Sequence, residues 1–275
     1  VLAGRARAVT IGVFDGVHRG HRRLIEALRA EAASRGLETA AITFHPHPSE
    51  VLYQGSPPRQ LCDLGHKLQL LMTTGLDEVR VLGFDARRAR MEPEQFVSEV
   101  LVAGLSSALV VVGEGFRFGR ARRGDVEMLT ALGQRAGFTV IGAPLVTDGE
   151  AGEVISSSRI RRLLAEGDIA EAARLLERPV EIRCRVSEVS PGVLEPLPRL
   201  QLPRPGAYRA RILPLGSPGG ASPARLVEIG EACVVIDPED EPVDEELASA
   251  LGWPDWQLSG RARPDRLVRV VLATA

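Results

Sequence analysis

Apolar residues follow two rhythms along this chain, and the rhythm changes near Arg178. In the first part, short runs of small and β-branched residues alternate with stretches in which apolar positions recur every three or four residues. Val9, Ile11 and Val13 make the first run, which the turn Asp15-Gly16 closes. Leu24, Ile25, Leu28 and Ala32 then share one face of a predicted helix over residues 22–35, with Arg22, Arg23, Glu26, Arg29 and Glu31 on the other. The opening is thus strand, glycine turn, helix.

The same grammar repeats. Residues 39–44 read as a second strand, followed by His45-Pro46-His47-Pro48, where two prolines predict a stiff loop rather than helix or strand. Asp63 offers an N-cap to a helix carrying Leu64, Leu68, Leu71 and Met72 and ending near Gly75, and residues 78–82 give a third strand. Pro93 opens a helix with Phe96, Val97, Val100 and Leu101, and residues 108–112 form a continuous apolar run, as expected of a parallel strand buried on both faces. A helix over 125–135 and a strand over 138–141 complete the series. Strands alternating with helices in this way predict an α/β fold with a doubly wound parallel sheet, whose ligands gather beyond the carboxyl ends of the strands.

Two more helices are predicted, one capped by serines with Ile160, Leu163 and Leu164 inward, the next opened by a capping box at Asp168 and Glu171 and running through Leu176. Beyond Pro179 the period becomes two. Val180, Ile182, Cys184 and Val186 alternate with polar residues, as do Tyr208, Ala210 and Ile212, and short strands recur at 226–229, 232–236 and 267–272. The expected organisation is an α/β domain over 1–178 and a small antiparallel β domain over 179–275.

Composition adds limits. Of 275 residues, 44% are hydrophobic and 25% charged, and the formal net charge of −2 gives no reason to expect nucleic acid or an anionic membrane as partner. Cys62, Cys184 and Cys233 are widely spaced and match neither a zinc pattern nor a disulfide framework, which fits a reducing cytoplasm. No apolar run reaches the ~20 residues needed to span a bilayer, and the start lacks a signal-peptide core. Lys67 is the only lysine among 34 basic residues, read here as a coding bias. The acidic stretch 237–246 is broken by Pro238 and Pro242 and is expected to be a solvated loop. Arg117, Arg120, Arg122 and Arg123 form a basic loop, expected to be solvated or to steer a substrate phosphate.

The candidate chemistry starts at the first turn. A helix that begins after a glycine turn at the edge of a parallel sheet presents unpaired amides and a positive dipole end, both suited to phosphate. His18 and His21, three apart in its first turn, project to one side with Gly20 between them, so both can donate hydrogen bonds to one phosphate group. Ser157, Ser158 and Arg159, at the start of another helix, offer hydroxyls and a guanidinium for further phosphate oxygens. Two anion sites imply a polyphosphate.

The string Gly12-Val13-Phe14-Asp15-Gly16-Val17-His18-Arg19-Gly20-His21 resembles the H-x-G-H signature of the nucleotidyltransferase superfamily, and within it the bacterial FAD synthetases, the FMN adenylyltransferase half of bifunctional riboflavin kinase/FAD synthetases. Ile155-Ser156-Ser157-Ser158-Arg159-Ile160-Arg161 resembles their I-S-S-T-R-I-R segment, with Ser158 where Thr is usual. Thr43-Phe44-His45-Pro46-His47-Pro48 and Val112-Gly113-Glu114-Gly115-Phe116-Arg117-Phe118-Gly119 are similar to T-F-x-P-H-P and V-G-x-[ND]-F-x-F-G, with Gly115 in place of the polar residue. The resemblance covers most of residues 8–178.

It implies a Rossmann-like nucleotidyltransferase that moves AMP from ATP to FMN, with Mg²⁺ carried on the nucleotide and FAD and pyrophosphate as products. It further implies ATP binding by Gly12, Phe14, Asp15, Gly16, His18, Gly20, His21, Ser157, Ser158 and Arg159, with His18, His21 and Arg159 catalytic. Phe44, Pro46, His47, Pro48, Gly115, Phe116 and Phe118 would border the flavin. The second domain should then resemble a riboflavin kinase barrel, but its glycine-rich loop and G-x-P-T-A-N string are missing, so a degenerate barrel without kinase activity is expected. Two other readings stay open: a transferase acting on another phosphate-bearing acceptor such as a modified flavin, and a regulator that binds nucleotide or flavin without turnover.

Overall fold

The computed structural model describes residues 6–53, 55–149, 152–187, 193–215, 224–236 and 267–274. The chain divides into two compact units, Val1–Pro58 with Leu64–Ser156, and Arg59–Asp63 with Ser157–Ala275. This division groups residues 157–176 with the β-rich part, whereas the change of rhythm in the sequence falls near Arg178.

The first unit is built on a five-stranded parallel sheet in the order β3-β2-β1-β4-β5, comprising β1 (Arg7–Ile11), β2 (Glu38–His45), β3 (Glu78–Gly83), β4 (Ser107–Gly113) and β5 (Thr139–Ala143). The period-two alternation of strand side chains decides which helix covers which face. Val9, Ile11, Ala40, Ile42, Val110 and Val112 point to one face, where they are buried with Phe96, Val97, Leu101, Leu129 and Phe138. Ala8, Ala41, Leu109 and Val111 point to the other, against Ile25, Leu28 and Ala32 of α1 (Arg19–Ala33) and Leu70 and Leu71 of α3 (Leu64–Met72). Strand order reverses between β1 and β4, so the chain leaves these two neighbours in opposite directions and opens a crevice at their carboxyl ends.

Several elements differ from their sequence expectations. The first strand stops at Ile11 and leaves Gly12 and Val13 to the turn, and the first helix starts at Arg19, three residues early, because His18 in extended geometry is its N-cap. Residues 45–48 were expected to exclude helix, yet α2 (Pro48–Leu52) begins inside them. Pro48 sits where a missing N–H costs nothing, and His47 and Glu50 form a reciprocal capping box. The helix opened by Pro93 is regular only over α5 (Pro93–Phe96) and continues as a π-helical stretch, Val97–Ala103. The short α4 (Ala86–Ala89) lies between β3 and α5, and α6 (Val126–Ala136) lies between β4 and β5.

In the second unit, α7 (Ser157–Glu166) and α8 (Ile169–Leu176) precede a closed antiparallel barrel in the order β10-β7-β6-β11-β8-β9. Its strands are β6 (Glu181–Val186), β7 (Val193–Pro196), β8 (Gly206–Pro214), β9 (Arg225–Ile229), β10 (Val234–Ile236) and β11 (Leu267–Leu272). Ile182, Cys184, Leu194, Ala210, Ile212, Val227, Val234, Val268 and Val270 are almost fully buried, as alternation requires of a small barrel's interior. Burial pushes the Cys184 thiol up to about 12, which leaves it unreactive at neutral pH, and all three cysteines are free. Asp168 caps α8 by accepting from the Glu171 amide, but Glu171 spends its carboxylate on Arg159 and Arg174 rather than on the expected return bond. The acidic stretch 237–246 lies outside the described residues. Among the described residues, no helix is long and apolar enough to cross a membrane.

Candidate functional site

The turn between β1 and α1 is tightly determined. Phe14 and Val17 have φ of 52° and 40°, the left-handed region that side chains rarely adopt, and Gly16 between them has φ 79°. The Phe14 ring folds back over Gly12, where a Cβ would lie 3.0 Å from its Cζ, so a side chain there would push the ring out of place. The Val13 carbonyl accepts from the Thr43 hydroxyl at 3.0 Å and from the Lys67 ammonium at 3.1 Å, and the Gly12 amide donates to the Ile42 carbonyl at 3.0 Å. Asp15 is buried within this turn.

The turn delivers the imidazoles as a stacked pair. The rings of His18 and His21 lie 3.7 Å apart at an interplanar angle of 20°, and Phe14 meets His21 edge-on at 5.2 Å. The His18 side chain makes no cap bond, so α1 begins with first-turn amides that have no intrahelical acceptor. A Cβ at Gly20 would come 3.3 Å from the His18 ring and 3.4 Å from the Ile155 carbonyl, so the pair and the helix start are packed closely.

His21 is held well below the ordinary imidazole value of about 6.5, first by burial, then by the charges of His18 and Lys67. A histidine whose folded value is depressed contributes nothing to pH dependence above the unfolded value. Below it the unfolded chain takes up a proton that the native state refuses, so stability is lost as pH falls from about 6.5 toward the folded value. The wild type should therefore lose up to about 1.4 kcal/mol per pH unit in that window relative to His21→Gln, as measured by urea unfolding at several pH values. Parallel pH curves for the two proteins would refute the assignment.

Next to the turn lies a cleft of about 450 Å³, lined in part by Gly12 and Val13. Of the residues expected beside a flavin, Phe44, His47, Pro48, Gly115, Phe116 and Phe118 line it, while Pro46 does not. Phe116 and Phe118 are stacked with centroids 5.6 Å apart, and Phe44 meets Phe84 edge-on at 5.7 Å, so the walls are flat and aromatic. His47 is tied up in its capping role, its Nδ1 accepting from the Ser49 amide at 3.1 Å. Gly115 carries no positive φ, and a Cβ there would touch only Leu145 at 3.9 Å.

Ser157, Ser158 and Arg159 open α7 in the second unit. The Ser158 hydroxyl accepts from Arg161 at 3.1 Å, and Arg159, largely covered, pairs with Glu171 at 3.1 Å. The basic loop is more paired than expected: Arg117 binds Asp125, and Arg120 and Arg123 both reach Glu92. Sequence reading missed Lys67, which is only 3% exposed and bonded to the Val13 carbonyl of the turn. Its uniqueness as a lysine was the one available signal. Among the described residues no three His, Cys, Asp or Glu side chains come together as a metal ion would require.

Fold and site together define an α/β protein with a strained strand-to-helix turn carrying two stacked imidazoles and an aromatic cleft at the switch point of a parallel sheet, followed by an antiparallel barrel. The chain belongs to the FAD synthetase family, whose model it matches over residues 3–159. It is similar to the bifunctional riboflavin kinase/FMN adenylyltransferase of Escherichia coli (strain K12), with 37% identity over 216 residues that make up 76% of this chain and 68% of the relative. The Pseudomonas fluorescens protein of the same description is 37% identical over 183 residues, 66% of this chain and 58% of that one. Among solved structures, a macrolide-efflux protein from Streptococcus pneumoniae matches with a TM-score of 0.74 over 97% of this chain and 84% of that one. At 22% identity that likeness concerns the fold alone.

Proposed function

We propose that the chain works as an FMN adenylyltransferase, joining AMP from ATP to FMN to give FAD and pyrophosphate, with the reaction centred on the turn after β1. The observation that carries this reading is the sharing of residues: Gly12 and Val13 belong both to the strained turn that holds the imidazole pair and to the wall of the aromatic cleft. An isoalloxazine in that cleft would bring its phosphate toward the helix start.

An oxygen of the FMN phosphate attacks the α-phosphorus of ATP, and the bond from that phosphorus to the bridging oxygen of the leaving pyrophosphate breaks. No protein nucleophile is needed, so positioning and charge stabilisation supply the catalysis. His18 and His21 donate to the α-phosphate region, and Ser157, Ser158 and Arg159 hold the outer phosphates. No residue set built for Mg²⁺ is assigned, and the ion is taken to arrive on ATP. A functional boundary near Arg178, no phosphorylation of riboflavin by residues 179–275, no nucleic-acid partner and a cytoplasmic place of work complete the proposal. Incubation with ATP and FMN should release pyrophosphate and FAD in equal amounts. A protein that binds both and makes neither would remove the reading and leave a binding regulator.

Gly115 favours one variant of it, an acceptor other than FMN, because the position that is polar in the resembling segment is here an open stretch of cleft wall. Since nothing strains the backbone at Gly115, Gly115→Asn should fold normally and raise kcat/KM for FMN about two- to tenfold, the worth of one hydrogen bond. A folded Gly115→Asn protein that makes FAD more slowly than its parent would point to the other acceptor.

A further inference from the structure

Lys67 lies on α3, 54 residues from the turn it serves, and nothing in the proposed chemistry uses it. A buried ammonium is costly unless it is hydrogen-bonded or paired, so the groups that Lys67 binds bear on its role. Its Nζ donates to the Val13 carbonyl, which also receives the Thr43 hydroxyl. Val13–Phe14 is not among the cis peptides, so its carbonyl and the Phe14 N–H point opposite ways. Drawing the carbonyl toward α3 therefore turns the Phe14 amide to the other side of the turn, at a residue whose φ is an unfavourable 52°.

We infer that Lys67 is a positioning residue for adenylyl transfer, acting through the Val13–Phe14 peptide to fix the turn and, through Phe14, the stacked imidazole pair. Phe14 links the two, because its ring packs edge-on against His21. The charge of Lys67 has a second consequence. Together with burial and with His18, which stacks on His21, it favours the neutral form of that imidazole. Arg19, the other cation of this helix start, is paired with Asp148 at 3.3 Å. A neutral His21 keeps one N–H for donation.

This inference rests on the proposed reaction for its kinetic arm but not for its spectroscopic one. Lys67→Met conserves length and removes both donor and charge. It should lower kcat by about tenfold to a hundredfold with KM for ATP and FMN within about threefold, the mark of lost positioning. In the ligand-free protein it should move the His21 titration, followed by NMR, upward toward the unperturbed value. Thr43→Val removes the other donor to the same carbonyl without touching charge, and should lower kcat while leaving the His21 titration in place. Unchanged kcat in both variants, or an unmoved His21 titration in Lys67→Met, overturns the inference. If Lys67→Met does not fold, Thr43→Val decides it, with wild-type kcat counting against. A wild type that makes no FAD but shows the titration shift on Lys67→Met would sink the reaction and leave the coupling standing.

Discussion

His18→Ala and His21→Ala should each lower kcat for FAD formation by about a hundredfold or more, while affinity for ATP falls only a few-fold. The reason is where the imidazoles sit. Their rings are stacked at 3.7 Å at the start of α1, packed against a turn whose φ values leave little room for rearrangement, so the imidazoles are held in place before any substrate arrives. Donors fixed in advance are worth most to charge that develops during transfer and less to a ground-state triphosphate, which has other partners. The two losses should not add. His18 and His21 share one stacked face, so the double variant should be little worse than the poorer single one. Steady-state kinetics with ATP and FMN, together with nucleotide binding by calorimetry, separates the outcomes. Near wild-type kcat in either variant would take that residue out of the reaction, and an equal loss in binding and kcat would make it a binding group only.

Much of this site could be read from the sequence because it is local. His18 and His21 are one helical turn apart, and a strand followed by Asp15-Gly16 and a helix leaves few ways to arrange them. The cleft was legible in pieces, since Phe44 lies at the end of one strand with His47 and Pro48 just beyond it, Gly115, Phe116 and Phe118 follow another, and parallel strands bring their carboxyl ends to one edge. Lys67 was not legible. Its partner is 54 residues away, and a single buried lysine looks like composition until the fold places it against Val13. The helix at Pro48 was missed for a different reason: a proline's missing N–H was counted against helix at the one position where it carries no cost. The π-helical stretch after Phe96 has no period of its own to show in a seven-residue window. In the barrel, period two revealed β6, β8, β9, β10 and β11 but missed β7, which lies in a proline-rich stretch too short to alternate, and it did not give the strand order, because β11 pairs with β6 and β8 across long separations that alternation does not encode.

Riboflavin and ATP should yield no FMN, even though relatives described as bifunctional are 37% identical to this chain over 216 residues. A kinase must cradle a triphosphate with backbone amides and supply oxygen ligands to its Mg²⁺, and it must hold the riboflavin hydroxyl in line with the γ-phosphate. The resembling enzymes use a glycine-rich loop and the Thr and Asn of a Pro-Thr-Ala-Asn string, and residues 179–275 contain no such string. Closure of the barrel does not argue otherwise. Its stability comes from Ile182, Cys184, Ile212, Val227, Val268 and Val270 filling the interior, and those apolar positions need no catalytic group to persist. A fold held by its core can lose a site carried on its loops, since loops contribute little to that core. The expected pattern is therefore FAD from FMN plus ATP, and neither FMN nor FAD from riboflavin plus ATP. Chromatography of both incubations tests it, with added FMN as the control that the first unit is active in the same sample. FMN formed from riboflavin at a rate comparable to that of FAD formation would show that the barrel carries a phosphoryl-transfer site built from other residues.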